Sequence, residues 1–290
     1  MRPDTSAAPA LRTPLLADFS LEMTGKDVAG LADAAPGIPP GTRIHVTFLG
    51  SEDLPTRVAA ARAVRRLGFV PVPHLSARRL PSRPAFEEFL GALRAEGACA
   101  DVLVVGGDPA VPEGPYPDAR SLIDSGLLAR YGVRRAAVAG YPEGHPAIPD
   151  HVLWSALAGK AAALAGQGLA GSVVTQFGFD AEAVLGWIEQ ARGRGVALPV
   201  RVGVPGPAGV RRLMAYAARF GVGTSASIAR KYGLSLTHLM GTAGPDRFLR
   251  ALAEGYEPAR HGDVTVHFYT FGGLGATARW VADFAKEAGV

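Results

Sequence analysis

The stretch that decides the fold is residues 135–192, RAAVAGYPEGHPAIPDHVLWSALAGKAAALAGQGLAGSVVTQFGFDAEAVLGWIEQAR. Two short, nearly continuous apolar runs, Arg135–Tyr141 and Ser172–Phe177, are each followed by a longer helical pattern, Asp150–Ala165 and Asp180–Arg192. Apolar runs of that length are what strands look like when helices cover the sheet and both faces are buried. Asp180 stands where a helix needs its N-cap, and Val184, Trp187 and Ile188 follow at helical spacing.

Outward from this unit the same alternation repeats. Strands are predicted at Pro14–Met23, Arg43–Gly50, Phe69–Leu75, Asp101–Gly107, Val200–Pro205 and Val264–Thr270. Helices are predicted at Pro55–Leu67, Pro84–Glu96, Ala119–Tyr131, Gly209–Phe220, Thr224–Tyr232, Asp246–Glu254 and Ala276–Glu287. The Pro84 helix opens with the start signal Ser82-Arg-Pro84. Eight β/α units over roughly 250 residues are the arithmetic of an α/β fold of the (β/α)8 (TIM) barrel type. The expected organisation is a flexible tail over residues 1–13 and a single barrel domain over 14–290. A doubly wound open sheet has less support, because Thr24-Gly-Lys-Asp27 follows the first strand instead of GxGxxG.

Composition narrows the function. An apolar share of 48% over 290 residues supplies a sizeable core. A net charge of +4, with only four lysines among thirty cations, leaves no nucleic-acid footprint. No run approaches the ~20 apolar residues of a membrane span, and the first ten residues lack the apolar core of a signal peptide. A cytoplasmic enzyme is expected, with no nucleic-acid or membrane partner. The single cysteine, Cys99, excludes an internal disulfide, and it lies in a helix-to-strand turn away from the working end. The histidines and carboxylates show no HxH, HExxH or DxD spacing, so no metal is expected. No GxSxG elbow is present.

Barrel chemistry sits at the C-terminal ends of the strands, and there polar residues gather: Glu22, His74, Asp108, Tyr141, His145, Gln176 and Tyr269. Glu22 lies between Leu21 and Met23, surroundings that favour a carboxyl group able to keep its proton. Asp108, in Gly106-Gly-Asp-Pro109, reads equally well as a turn residue. His45 and His267 alternate with apolar neighbours and are expected on the outer, helix-facing side. His151, His238 and His261 carry no signal. Gly272 and Gly273, in the loop after the last strand, could receive a phosphate.

In this order the strand-end motifs resemble the methylenetetrahydrofolate reductase family. The matching pieces are Phe19-Ser-Leu-Glu22, Pro73-His74-Leu75, Gly107-Asp108, Ala139-Gly-Tyr-Pro-Glu-Gly-His-Pro146, Thr175-Gln176-Phe-Gly-Phe-Asp180, Pro205-Gly206 and His267-Phe-Tyr-Thr270. The resemblance implies reduction of 5,10-methylenetetrahydrofolate to 5-methyltetrahydrofolate with NAD(P)H. It implies Glu22 as the acid that protonates N10, and Asp108 and Gln176 as pterin contacts. Phe177 and Tyr269 are expected beside the folate, with His74, Tyr141, His145, Lys160, Gly272 and Gly273 at the cofactor. The chain departs from the family pattern at the flavin positions. Gly106 stands where the family has Arg, Lys160 stands alone where it has an Arg-Lys pair, and Phe271-Gly-Gly273 replaces Leu-Asn-Arg. FAD is the family's usual cofactor; with these cations replaced, direct hydride transfer from NAD(P)H to the folate is expected. The alternatives are a tetrahydrofolate-dependent one-carbon or methyl transferase and a non-catalytic folate binder.

Overall fold

The computed structural model of the chain describes residues 14–221 and 242–288. The predicted tail 1–13, the predicted helix Thr224–Tyr232 and His238 lie outside the described residues. Eight parallel strands close into a barrel: β1 (Ser20–Met23), β2 (Arg43–Val46), β3 (Val70–Ser76), β4 (Asp101–Val105), β5 (Arg135–Gly140), β6 (Ala170–Phe177), β7 (Val200–Pro205) and β8 (Val264–Tyr269). Strand β1 pairs with both β2 and β8, which closes the (β/α)8 barrel expected from the strand spacing. The main helices around it are α1 (Val28–Ala34), α2 (Leu54–Arg66), α3 (Arg83–Ala95), α4 (Ala119–Asp124), α5 (Leu127–Arg130), α6 (Asp150–Gly166), α7 (Ala181–Gly193) and α8 (Val210–Phe220). After them come α9 (Asp246–Gly255), α10 (Pro258–His261) and α11 (Leu274–Ala288). No helix among the described residues is long and apolar enough to cross a membrane.

The start signals read from the sequence are used. Ser82 accepts from the Ala85 N–H and Asp180 from the Ala183 N–H, each satisfying an orphan donor of a first turn. Two elements differ most from expectation. The first strand begins only at Ser20, because Pro14–Leu16 forms a 3-10 turn with Leu15 and Leu16 buried. Ahead of the strand, the Asp18 carboxylate is held by Arg43 and Arg201. The segment predicted as one helix over Ala119–Tyr131 is two, α4 and α5. Ser125 donates to the Leu122 carbonyl, and Gly126 takes the left-handed conformation (φ 71°) that ends a helix. A two-residue ribbon, Ala208–Gly209 against Thr242–Ala243, and the short helices α1 and α10 carried no signal in the sequence reading.

Alternation along the strands sorts the side chains. Leu21, Met23, Ile44, Val46, Val266 and Phe268 are buried in the main core between barrel and helices. Val72, Leu103, Ala137 and Val174 form a second, separate apolar cluster. Register pairs Glu22 with His45 and Ser20 with His267. His45 and His267 therefore share Glu22's face, and their rings lie 4.4 Å apart inside the barrel. The outward placement expected for these two histidines is wrong. In Ile44-His45-Val46 and Val266-His267-Phe268 the apolar neighbours fill the helix-facing shell, so the residue between them points inward.

Candidate active site

Strand β1 carries Glu22 to the C-terminal end of the barrel interior, and three histidines from three strands surround it. Glu22 Oε2 lies 3.5 Å from His267 Nε2 and 4.0 Å from His74 Nε2. His267 is fully buried; its Nδ1 shares a 2.9 Å hydrogen bond with Ser20 Oγ, leaving Nε2 without a hydrogen-bond partner and near Glu22. His45 Nδ1 shares a 3.2 Å hydrogen bond with His74 Nε2. Burial lowers the pKa of His45 well below the ordinary histidine value. Burial brings His74 down to about 4, against the opposing pull of Glu22. Both rings are accordingly neutral at pH 7, each with a lone pair to accept a proton. Among the described residues no three His, Cys, Asp or Glu side chains are placed to hold a metal ion.

Beside this cluster stands an aromatic wall. Tyr269 packs on His267 with ring centres 5.0 Å apart and donates to the Thr175 carbonyl at 3.0 Å. Burial, with Glu22 and Tyr141 nearby, raises its pKa well above the ordinary tyrosine value. Phe177 meets Tyr269, Phe271, Phe179 and Phe220 at 5.1–6.0 Å. Tyr216 of α8 stacks on Phe271 at 4.1 Å and 10°.

A register shift in β6 between Val174 and Phe177 places the Thr175-Gln176 pair at a bulge, and bulges re-aim side chains beside sites. Thr175 Oγ1 accepts from the Gly203 N–H at 2.8 Å, and a Cβ on Gly203 would stand 2.4 Å from the Thr175 carbonyl oxygen. Only glycine lets the two backbones approach this closely. Gln176 Oε1 accepts from the Phe177 N–H, which fixes the amide's orientation.

The other expected residues are distributed around this core. Tyr141 and His145 pack edge to face at 5.3 Å, and His145 Nδ1 accepts from the Ala147 N–H. Glu143, between them, accepts from the Phe179 N–H and ties the loop after β5 to the loop after β6. Asp108 is exposed in the loop after β4. Arg79 grips it with two hydrogen bonds of 2.7 and 2.8 Å, which lower its pKa below the ordinary carboxylate value. Lys160 lies apart from the cluster. Its ammonium is buried against β5 and donates to the Ala139 carbonyl at 2.9 Å, and burial lowers its pKa to about 8. Gly272 and Gly273 are exposed just before α11, and Gly272 passes so close to the Pro207 carbonyl that a Cβ would overlap it. Cys99 is buried before β4, where desolvation pushes its thiol up to about 11 and removes it as a nucleophile.

The sequence reading did not assign Ser20, His45, His267, Tyr216, Phe220 or Phe271 to the site. The signal for the histidines was present: each repeats the apolar-polar-apolar pattern of Leu21-Glu22-Met23. No comparable signal marks Tyr216 and Phe220, because a helix face reveals its partner only after folding.

No family model matches the chain. Solved structures do resemble it. One is an uncharacterized protein from Clostridium thermocellum that binds two copies of 5-methyl-5,6,7,8-tetrahydrofolic acid. It is 11% identical over 93% of this chain and 95% of that one, with a TM-score of 0.62. Another is dihydropteroate synthase from Thermus thermophilus, 14% identical over 92% and 93%, with a TM-score of 0.46. The likeness to the first is one of fold.

Proposed function

We propose that the barrel binds a reduced folate at its C-terminal mouth and reduces 5,10-methylenetetrahydrofolate to 5-methyltetrahydrofolate, with NAD(P)H giving the hydride. The observation that carries the reading is Glu22: a carboxyl group set inside the mouth, between the imidazoles of His74 and His267 and next to an aromatic wall. Apart from Phe19-Ser20, which open β1, the motifs that resemble the reductase family lie toward or just beyond the C-terminal strand ends. A protein of this fold binds 5-methyl-5,6,7,8-tetrahydrofolic acid, the product expected here.

The residues suggest the following division of labour. The pterin stacks against Tyr269 and Phe271; Phe177, expected beside the folate, is fully buried and supports these rings from behind. Gln176 meets its polar edge with the amide end that is not bound to Phe177. Asp108 offers the second lone pair of each oxygen to pterin N–H donors while Arg79 holds its orientation. Glu22 donates its proton to N10, the bond from N10 to the bridging methylene breaks, and an iminium forms at N5. Hydride adds to the methylene carbon and completes the methyl group. The acid step and the alignment belong to the protein; the hydride belongs to the nicotinamide.

The residues at the flavin positions do not fit FAD. The one cation retained on α6, Lys160, is buried against Ala139 instead of being presented to a diphosphate. No step is derived through a flavin. The deciding experiment is the visible spectrum of the purified protein together with an anaerobic assay of NADH and NADPH oxidation dependent on methylenetetrahydrofolate. The expected result is a colourless protein that oxidises one of the nucleotides only when the folate is present. Stoichiometric FAD, or activity that requires added FAD, overturns the direct-transfer reading. Folate binding with no oxidation of either nucleotide favours one-carbon transfer or simple binding.

A further inference from the structure

A cavity of about 650 Å³ opens at the end of the barrel opposite Glu22. Its rim is built from the N-terminal ends of the strands. Arg43, Arg135 and Arg201 stand there against Asp18, Asp101 and Asp263. The pairs interlock: Asp18 binds Arg43 and Arg201 at 2.7 and 2.6 Å, and Asp101 lies 3.5 Å from Arg43 and 2.9 Å from Arg135. Three arginines matched by three carboxylates give no net field for an ionic ligand, but they line the opening with groups that hold water. Inner layers of barrels are usually filled by large branched side chains. Here the inner wall is made of small ones, Ala137, Ser172 and Gly171 among them, and the space persists up to His45.

His45 lines this cavity while its Nδ1 is engaged with His74, so Nε2 is the ring nitrogen left to the cavity. His74 Nε2 in turn lies 4.0 Å from Glu22 Oε2. We propose that the N-terminal mouth is a water-filled vestibule through which Glu22 regains its proton, with His45 and His74 as the relay. The inference rests on the reading of Glu22 as the acid. A bound folate covers Glu22 from the C-terminal side, and the proton given to N10 has to be replaced before the next turnover. Hydronium or a buffer acid in the vestibule protonates His45 Nε2. The Nδ1 proton of His45 passes to His74 Nε2 and from there, through a shift of the side chain or one bridging water, to Glu22 Oε2. His45 is left neutral with its proton on Nε2; the starting tautomer returns when the ring turns Nδ1 toward vestibule water, which gives a proton to Nδ1 as Nε2 releases one to it. One proton leaves bulk water and one arrives on Glu22. The neutrality of both rings, imposed by burial, keeps the accepting lone pairs available.

Two measurements on the full chain test the relay. The first needs no activity: imidazole N–H exchange with water at His45 and His74, followed by NMR in 15N-histidine-labelled protein. Ser172→Phe, with Ala137→Phe as a second plug, fills the vestibule without touching the relay. Plugging is expected to slow exchange at least tenfold; unchanged exchange in a folded plugged variant overturns the route. The second separates turnover from chemistry. His45→Phe is expected to lower steady-state kcat about tenfold or more while leaving the single-turnover hydride-transfer rate unchanged, and added imidazole is expected to restore kcat. Wild-type kcat in His45→Phe, or an equal fall in the single-turnover rate, overturns the relay. Glu22→Gln tells the two ideas apart. If it is inactive while His45→Phe turns over normally, the acid survives and the relay falls. If it is fully active, the acid reading falls, and the exchange experiment alone decides whether the vestibule admits protons.

Discussion

At the scale of single residues, the arrangement turns on two carboxylates in opposite surroundings. Glu22 is largely enclosed and faces two imidazole nitrogens, whereas Asp108 is exposed and gripped by Arg79. Glu22→Gln keeps the size and much of the hydrogen bonding but has no proton to give. Turnover is expected to fall by ~10²–10⁴-fold, the usual worth of a positioned acid, with folate affinity little changed. Near wild-type turnover in that variant would remove Glu22 as the acid. Asp108→Ala separates a turn residue from a ligand contact. An exposed ion pair contributes only about 0–1 kcal/mol to stability. The melting temperature should therefore move little, while folate binding and hydride transfer weaken together, since a charge-assisted contact is worth roughly 1.5–3 kcal/mol. If equilibrium dialysis and stopped-flow rates both match wild type, Asp108 serves only the turn before Pro109.

Among the elements, β6 is the one whose irregularity builds the site. Its bulge at Thr175-Gln176 is locked from β7 by Gly203 and from β8 by the Tyr269 hydroxyl on the Thr175 carbonyl. A methyl group on Gly203 meets the backbone of Thr175, Gln176 and Phe177, none of which can swing aside. Gly203→Ala is expected to cost about 1–3 kcal/mol, in the range of overpacking, and to displace Gln176. Urea unfolding should show a lower midpoint at an unchanged slope; an unshifted midpoint would mean that β6 is not pinned there. None of this was legible in the one-dimensional pattern, where Gly203 is merely a glycine within an apolar run. The strand itself was legible, because Ser172–Phe177 is apolar enough to be buried on both faces.

The whole molecule shows why its charges stand where they do. Lys160 of the helical shell is held at about 8 by burial, against an ordinary 10.5. Between about pH 8 and 10.5 the unfolded chain binds more protons at this site than the folded one, so this lysine makes stability rise with pH there. Its cost is present in full below pH 8. Lys160→Met is expected to remove that rise, measured as the difference in unfolding free energy between wild type and variant at pH 7 and pH 10. An identical pH dependence of the two proteins would show that the ammonium is solvated. By itself the sequence determined the eight strands, their parallel order and the outer apolar shell, since strand length, spacing and buried runs are local properties of the chain. It also placed Glu22 and the strand-end motifs at one end of the barrel, because every strand in a β/α series runs the same way. Closure of the sheet decided the rest. Only when β1 pairs with β2 and β8 do Ser20, Glu22, His45 and His267 come onto one inner face, although they are as much as 247 residues apart in the chain. The same closure turned Lys160 toward Ala139 and left the N-terminal mouth open, because side-chain direction inside a barrel is set by register between strands, which no single strand encodes.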